Sequence, residues 1–307
     1  MQLVENKGLV TVTSLLFFVG FGIKSAVFPL YFWLPSAYHT PPSAIAAIFG
    51  GLLTKMGIYA MLRVFTVIFQ PDDFTLILFS IIAILTLITG ALGTINKRSM
   101  RRILSYLIIC HIGYLIAGLG LNTEIAFVAV IFYLIHDVIV KSNVFMITGV
   151  ILKMRETVDI TRLGSILKDY PKFSFVVALV LFSLIGIPPL SGFWPKILLF
   201  QETFKQENYF LLAGLIVASF VTLFVVVRIW SEAFWKESPK TITDEIDHFA
   251  PFSNAGKFAL IAPIVALSAV TLLIGLNANS VMKLSQKAAY EMKHPEIYIN
   301  NVLGSKE

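Results

Sequence analysis

Residues 124–151 read EIAFVAVIFYLIHDVIVKSNVFMITGVI, an apolar run interrupted only near its centre. As an α-helix this run would span about 40 Å, which exceeds the ~30 Å hydrocarbon thickness of a bilayer. Its centre carries His136, Asp137 and Lys141, all of which are costly at membrane depth. The run therefore predicts a transmembrane helix that holds polar side chains near mid-membrane for a specific purpose.

The composition of the whole chain is typical of a membrane protein. Of 307 residues, 57% are hydrophobic and 14% are charged, whereas soluble domains carry roughly 25% charged residues. So few charges would leave large apolar patches in water, which excludes a soluble globular domain. The single cysteine, Cys110, excludes an intrachain disulfide framework and a thiolate-held cluster. The net charge of +6 lies in short loops, so nucleic acid is not an expected partner.

Seven further apolar runs give a total of eight predicted spans. The spans are 9–33, 44–69, 74–95, 102–121, 124–151, 173–200, 208–234 and 256–276. Runs of this length exclude the short alternation of an outer-membrane barrel. We therefore predict an all-α polytopic membrane protein of about eight transmembrane helices, with a transmembrane domain over 1–276 and a polar C-terminal tail over 277–307.

Prolines break two of these spans near the middle of the membrane. In the first span Pro29 and Pro35 follow Lys24, and in the sixth Pro188 and Pro189 precede Lys196. Each proline removes a helix hydrogen bond. Broken helices at membrane depth survive where the freed carbonyls face protein or a watery cavity, and paired breaks in the two halves of a chain mark transport sites.

The orientation of the chain follows from its lysine and arginine residues. The loops after the third, fifth and seventh spans hold twelve: Lys97, Arg98, Arg101, Arg102, Lys153, Arg155, Arg162, Lys168, Lys172, Lys236, Lys240 and Lys257. The opposite side holds six: Lys7, Lys205, Lys283, Lys287, Lys293 and Lys306. Because the richer side faces the cytoplasm, both termini are predicted on the outer side.

Several ionisable residues lie well inside the predicted spans. They are Lys24, Lys55, His111, His136, Asp137, Lys141 and Lys196. Facing lipid, each lysine or aspartate would cost roughly 2.5–3.5 kcal/mol near the bilayer centre, so they must face one another or water. Desolvated lysines and histidines can exchange protons near neutral pH. This set predicts a proton relay of Lys24, Lys55, His136, Lys141 and Lys196.

Other interpretations of the same residues remain open at this point. Asp137 and Lys141 stand at i and i+4, so they could simply form an ion pair, although the neighbouring His136 and Asn143 extend the polar face and favour a relay. His111 could be a satisfied core histidine, or with His136 a haem ligand, but nothing else in the sequence supports haem. We expect no cofactor and no metal site, since no metal-ligand cluster appears.

Four stretches resemble one family. They are FGIKSAVFPLYFWLP at 21–35, LTKMGIYA at 53–60, IHDVIVKSN at 135–143 and GIPPLSGFWPK at 186–196. Together they resemble the D-type subunit of Mrp-type multisubunit Na⁺/H⁺ antiporters and, more broadly, the antiporter-like membrane subunits of respiratory complex I. The resemblance covers nearly the whole chain.

The resemblance implies a fourteen-helix subunit built from two inverted five-helix repeats, of which this chain would form the seventh to fourteenth helices. It also implies one half-channel at Lys24 and Lys55 and another at Lys141 and Lys196, with a glutamate on an earlier helix as the partner of Lys24. The expected surroundings are a bacterial plasma membrane, other membrane subunits of an antiporter, lipid, protons, and Na⁺ or K⁺.

The function predicted from this resemblance is proton and cation translocation, without redox chemistry in this chain. One alternative is the proton-pumping subunit of complex I, which would make the chain part of an NADH:quinone oxidoreductase-type translocase. The tail after Gly275 is too short for the extra C-terminal helix of the longest complex I type. Alternatives of another class are a membrane scaffold that transports nothing and a truncated fragment.

Overall fold

The computed structural model describes residues 7–238, 249 and 252–304, so Lys240 and Lys306 lie outside the described residues. Apart from one isolated bridge between Ser99 and Asp159, the regular structure in these ranges is helical. The α-helices are α1 (Lys7–Ser25), α2 (Trp33–Tyr38), α3 (Ser43–Ile48), α4 (Thr54–Arg63), α5 (Asp73–Ile95), α6 (Met100–Leu121), α7 (Glu124–Arg155), α8 (Ile166–Asp169), α9 (Pro171–Ile185), α10 (Phe193–Lys205), α11 (Tyr209–Trp230), α12 (Asn254–Leu276), α13 (Ala278–Lys293) and α14 (Pro295–Leu303).

Seven helical segments within the described ranges are long and apolar enough to cross a membrane. They overlap seven of the eight predicted spans, which confirms the all-α polytopic fold, although the first segment ends at Ser25 rather than at residue 33. The remaining predicted span, 173–200, is divided between α9 and α10 because the chain leaves the helix at 186–192. Three π-helical turns, Phe49–Leu53, Val64–Ile68 and Ser231–Trp235, continue α-helices without a break.

The two proline breaks follow the same backbone path. Each preceding helix gives way to a residue in the left-handed region, Ala26 with φ of 58° and Gly186 with φ of 92°. In both breaks the next amide donates to the carbonyl five residues earlier, over 3.1 Å. A cis peptide bond then precedes Pro29 in the first break and Pro189 in the second. The two breaks therefore share one backbone conformation, although few of their side chains are the same.

Side-chain caps fix where several helices begin. The carboxylate of Asp72 accepts the Thr75 amide at 3.0 Å and the Thr75 hydroxyl at 2.5 Å at the start of α5. These hydrogen bonds lower the pKa of Asp72, and the one from the Thr75 hydroxyl has the larger effect. The Thr123 hydroxyl accepts the Ala126 amide at 3.2 Å at the start of α7. Such caps satisfy amides that a helix N-terminus leaves without intrahelical partners.

Helix α7 is the centre of the bundle, and it is in contact with α3, α6, α9, α10, α12 and α13. Beside it, α5 and α6 are in close contact at Gly90, where an added Cβ would lie 2.6 Å from the Cα of Cys110. The outer faces of α1, α5, α11 and α12 expose large apolar side chains, as expected for helices that face lipid.

The helix ends gather at two opposite ends of the bundle. At one end Arg101 donates to the Pro41 carbonyl at 3.2 Å and to the Ser43 hydroxyl at 2.5 Å. At the other end the Gln206 amide donates to the Leu121 carbonyl at 3.2 Å, and Lys293 donates to the Asn122 side chain at 3.1 Å. The loops after α5 and α7 meet at the Arg101 end through the bridge between Ser99 and Asp159. The Ser165 amide donates to the Lys236 carbonyl at 2.7 Å, so the described part of the loop after α11 lies beside them.

The segment that the sequence suggested was a polar tail is part of the bundle. Helix α13 packs along α7 and buries Ala278, Ser285, Ala289 and Met292. These residues recur at helical spacing, so they form one face, and the small ones let the two helices approach closely. The polar composition of 278–293 concealed this face.

Candidate functional site

The first part of the site is built where α3, a π-helical turn and α4 follow one another. The π-helical turn at Phe49–Leu53 widens the helix just before Lys55, whose ammonium donates to the Gly50 carbonyl at 2.7 Å. Lys55 is only 3% exposed. Wide turns of this kind often occur at functional sites because they leave backbone carbonyls available.

Asp137 on α7 joins three helices. One of its carboxylate oxygens lies 2.8 Å from the ammonium of Lys55 on α4. The other accepts a hydrogen bond from Nδ1 of His111 on α6, over 2.9 Å. All three side chains are buried. Since a lone buried charge is costly, the carboxylate and the ammonium stabilise one another in the membrane interior.

This arrangement corrects the suggested pairing of Asp137 with Lys141. The two carboxylate oxygens are engaged by Lys55 and His111, and among the described residues Asp137 forms no ion pair with Lys141. The ammonium of Lys141 is fully buried, and it has no hydrogen-bond partner among the residues that the structure describes. Spacing within α7 placed both residues on one face, but partners from the neighbouring helices decide the contact.

His111 also belongs to this cluster, although it was left out of the predicted relay. An isolated histidine in an apolar run has two common explanations, a core position or a functional one, and its sequence neighbours did not distinguish them. The contact that does so is with Asp137, 26 positions away. His111 and Asp137 were both visible as intramembrane ionisable residues, so only their pairing was missed.

The second part of the site lies at the second proline break. His136 Nδ1 is hydrogen-bonded to the Ser191 hydroxyl at 2.8 Å, and that hydroxyl lies 3.0 Å from the Ser183 hydroxyl. Lys196, four residues into α10 and 4% exposed, donates to the Ile185 carbonyl at 2.7 Å. The break therefore supplies both a hydroxyl for His136 and a carbonyl for Lys196.

Aromatic rings lie between the two parts. The ring of Tyr133 is 5.6 Å from that of His111 and 5.6 Å from that of His136, centre to centre. Tyr133 also stacks on Tyr114 at 5.6 Å, and the ammonium of Lys196 lies 5.2 Å above the ring of Tyr114. Buried side chains thus run without interruption from Lys55 to Lys196.

The structure does not bring Lys24 into this line. Lys24 lies near the end of α1 and is exposed, and it makes no ion pair or hydrogen bond within the described residues. Of the predicted relay residues, Lys55, His136, Lys141 and Lys196 are buried near one another at the centre of the bundle, with Asp137 between them.

The chemistry available to these groups is proton exchange. Three buried lysines and two buried histidines accompany one buried aspartate, so the charge of the site depends on how many of these bases are protonated. Within the ranges that the structure describes, no group of three or more His, Cys, Asp or Glu side chains is arranged to hold a metal ion.

A family model described as NADH:quinone oxidoreductase/Mrp antiporter, TM, matches residues 1–222. The chain belongs to this family. The match confirms the family resemblance drawn from the four sequence stretches, and it includes every residue of the line from Lys55 to Lys196.

Individual members of this family are similar to the chain in sequence and in structure. The D-type subunit of the Na(+)/H(+) antiporter of Alkalihalophilus pseudofirmus is 41% identical over 300 residues, which are 97% of this chain and 59% of that protein. A chain in the structure of the Mrp complex from Dietzia sp. DQ12-45-1b matches 98% of this chain and 62% of its own length with a TM-score of 0.88 and 30% identity. This chain therefore spans about three fifths of the proteins that it matches.

Respiratory complex I from Thermus thermophilus contains a similar fold. One of its chains matches 91% of this chain and 60% of its own length, with a TM-score of 0.70 and 23% identity. At this identity the likeness concerns the fold alone. The comparisons therefore do not favour the complex I alternative over the Mrp antiporter.

Proposed function

We propose that this chain is a proton- and cation-translocating subunit of a multisubunit Na⁺(K⁺)/H⁺ antiporter, corresponding to the D-type subunit. Protons pass along the buried bases between Lys55 and Lys196, with Lys141 and His136 between them. Lys24 and Lys55 serve one half-channel, and Lys141 and Lys196 serve the other. No cofactor or redox step takes part in this transfer.

The ion pair of Lys55 with Asp137 carries the proposal. Lys55 and His111 share a single carboxylate across three helices, so the protonation of one of them changes the electrostatic environment of the other. Lys141 and Lys196 lie further along the site without a carboxylate partner among the described residues. A proton that leaves one base can therefore favour protonation of the next.

The surroundings of the chain are part of the same proposal. The apolar helices fit a multi-pass protein of the cell membrane, and the relatives' names support other antiporter subunits as partners. The transported ions are H⁺ and Na⁺ or K⁺. The basic loops at the Arg101 end face the cytoplasm, which leaves both termini on the outer side.

Ion exchange in inverted membrane vesicles that contain the complete antiporter complex tests this function. We expect Lys55→Met, Lys141→Met and Lys196→Met each to reduce Na⁺- or K⁺-driven proton movement at least tenfold, because each removes a base and leaves an unbranched side chain that is only about one atom shorter. Acridine orange fluorescence reports the movement, and native electrophoresis reports assembly of the complex.

Lys168→Met is the matched control, since Lys168 is exposed in α8, outside the membrane-crossing helices, and its variant should exchange ions normally. Normal exchange in the assembled Lys196→Met complex would contradict the relay. A structural scaffold predicts the reverse pattern, with assembly lost in the lysine variants and exchange intact in whatever complex forms.

A further inference from the structure

A cavity of about 280 Å³ opens between α9, α10 and α11 at the second proline break. Its walls are mostly apolar, and they include Phe193, Phe200, Phe220 and Leu223. Phe220 is 65% exposed and Leu223 38% exposed on the outer face of α11. Because α11 is a membrane-crossing helix, the cavity opens sideways, toward the lipid or a neighbouring protein.

One wall of this apolar cavity carries a cation. Lys196 lines it, and the ammonium is held by the Ile185 carbonyl at 2.7 Å. The contacts of Lys196 within the described residues are carbonyls and the Tyr114 ring, none of which bears a negative charge. An ammonium can donate three hydrogen bonds. The cavity is therefore complementary to a ligand with an apolar body and an anionic end.

The depth of Lys196 restricts what this ligand can be. Lys196 lies nine residues before Lys205, the last residue of α10, or about 14 Å along the helix axis. This distance is close to half the ~30 Å thickness of the hydrocarbon core. A phospholipid headgroup stays at the membrane surface, whereas a single-chain carboxylic acid can enter the core in its uncharged form.

We propose that this cavity binds a long-chain fatty acid, with its carboxylate at Lys196 and its alkyl chain along the exposed face of α11. A carboxylic acid beside an amine and a carboxylate beside an ammonium differ only in the position of one proton. The complex is therefore neutral in either form, which limits the cost of holding it in the membrane core. The proposal does not depend on ion transport by this chain.

Photolabelling of the assembled antiporter complex in membranes tests the proposal. The probes are a C16 fatty acid with a diazirine in mid-chain and the corresponding fatty alcohol, and mass spectrometry locates the labelled peptides. We expect the acid to label peptides of α10 and α11 at least tenfold more than the alcohol, because only the acid can pair with Lys196.

Two variants separate the charge from the shape of the cavity. Lys196→Met removes the cation and should abolish the preference for the acid. Leu223→Trp leaves the cation and fills the cavity from α11, so it should reduce labelling by the acid at least tenfold. Leu273→Trp is the matched control, because Leu273 is 64% exposed on α12 and does not line this cavity.

Equal labelling with acid and alcohol would overturn the proposal, and so would undiminished labelling in Leu223→Trp. An absence of label in this region would also overturn it, because it would mean that protein covers the cavity. Equal labelling by a diazirine phosphatidylglycerol would assign the cavity to phospholipid and also overturn it. If the Lys196→Met complex fails to assemble, the comparison of acid with alcohol and the Leu223→Trp variant still test the proposal.

Discussion

A single carboxylate, that of Asp137, neutralises the first buried part of the site. Removing it while Lys55 remains leaves an unpaired buried charge, so we expect Asp137→Leu to destabilise the protein by about 3–5 kcal/mol. The double variant Lys55→Met, Asp137→Leu should regain most of this stability without regaining ion exchange. Thermal unfolding of the purified complex measures the stability of the single and the double variant, and the vesicle assay measures their ion exchange.

The control for this prediction is Asp169→Leu, which removes a partly exposed ion pair with Arg155. Exposed pairs contribute about 0–1 kcal/mol, so its effect should be small. A single variant Asp137→Leu as stable as the double variant would show that Lys55 does not need this carboxylate.

Two neighbouring tyrosines give a second prediction at the residue scale. The Tyr133 hydroxyl is buried without a hydrogen-bond partner among the described residues, whereas the Tyr114 hydroxyl donates to the Leu215 carbonyl at 2.7 Å. Tyr133→Phe should therefore leave stability unchanged or raise it by about 1 kcal/mol, and Tyr114→Phe should lower it by about 1 kcal/mol.

Thermal unfolding of both variants, compared with their ion exchange, checks the tyrosine prediction. If the Tyr133 hydroxyl takes part in proton transfer between His111 and His136, Tyr133→Phe will slow exchange without loss of stability. A loss of stability in Tyr133→Phe as large as that in Tyr114→Phe would contradict the burial argument.

At this scale the sequence predicted four of the five relay lysines and histidines as residues buried in the bundle, but not Lys24, which is exposed, and it did not predict which of them are in contact. Lys55, His136, Lys141 and Lys196 were identified because ionisable side chains are rare in apolar runs, and the structure buries all four. The partner of Asp137 could not be predicted, because it depends on how α4 and α6 pack against α7 rather than on spacing within one helix.

At the scale of helices, α5 and α6 depend on a glycine for their close contact. A methyl group at Gly90 would lie 2.6 Å from the Cα of Cys110 and 2.9 Å from its Cβ. Backbone cannot move aside as a side chain can, so we expect Gly90→Ala to cost at least 1–3 kcal/mol, the usual cost of overpacking.

Gly214→Ala is the control for Gly90→Ala. A methyl group there would meet its nearest neighbour, Ile84, at 3.4 Å, an ordinary contact, and alanine is also the better helix former. The yield of folded complex and its thermal unfolding should distinguish the two variants. Equal stability would mean that α5 and α6 separate easily.

The cap at the start of α5 gives a pH-dependent prediction. Because the pKa of Asp72 is lowered in the folded protein, its contribution is present above the ordinary pKa of about 3.9 and disappears as pH falls through the lower, folded value. Asp72→Ala should weaken this helix end by about 1 kcal/mol at neutral pH, and Asp72→Asn by less.

Hydrogen exchange of the amides at 73–76 measures the cap, with each variant compared with the unsubstituted protein at the same pH. Because asparagine does not titrate, the difference between the Asp72→Asn variant and the unsubstituted protein should change as the pH falls below about 4. A difference that stays constant down to the lowest pH tested would show that the Asp72 charge does not support the cap.

The proline breaks could be predicted from the sequence, whereas α13 could not. Proline acts locally, by removing an amide and fixing φ, so its effect can be seen without knowing the neighbouring helices. In 278–293 the packing face consists of alanine and serine beside one methionine, and such small residues contribute little to a hydropathy profile. Their role becomes clear only when α7 lies beside them.

At the scale of the whole molecule, the alternation of loops between two ends can be tested directly. The chain contains a single cysteine, Cys110, which is buried, so Cys110→Ala provides a background for new cysteines. Lys168→Cys should react with a membrane-impermeant maleimide only from the cytoplasmic side, and Glu207→Cys only from the outer side. Labelling of this subunit in intact cells, compared with labelling in inverted vesicles, shows from which side of the membrane each cysteine is accessible.

Reaction of both cysteines from the same side would contradict the alternation, and reaction of each from the opposite side would reverse the orientation. The alternation could be predicted because it depends on the number of apolar runs, whereas the orientation stays a prediction from the counts of lysine and arginine. The lateral cavity beside Lys196 could not, since three separate helices form its walls.

The π-helical turn at Phe49–Leu53 has a consequence for how the helix around it can rotate. Relative to an α-helix, a π-helical turn contains one additional residue, and one residue corresponds to about 100° around a helix axis. The part before the turn is fixed to α7 by the Ser142 hydroxyl on the Ala47 carbonyl, over 3.2 Å. An α-helical turn at the same place would direct the side chain of Lys55 away from Asp137 while that anchor held, so the additional residue of the π-helical turn sets the rotation at which the ammonium reaches the carboxylate.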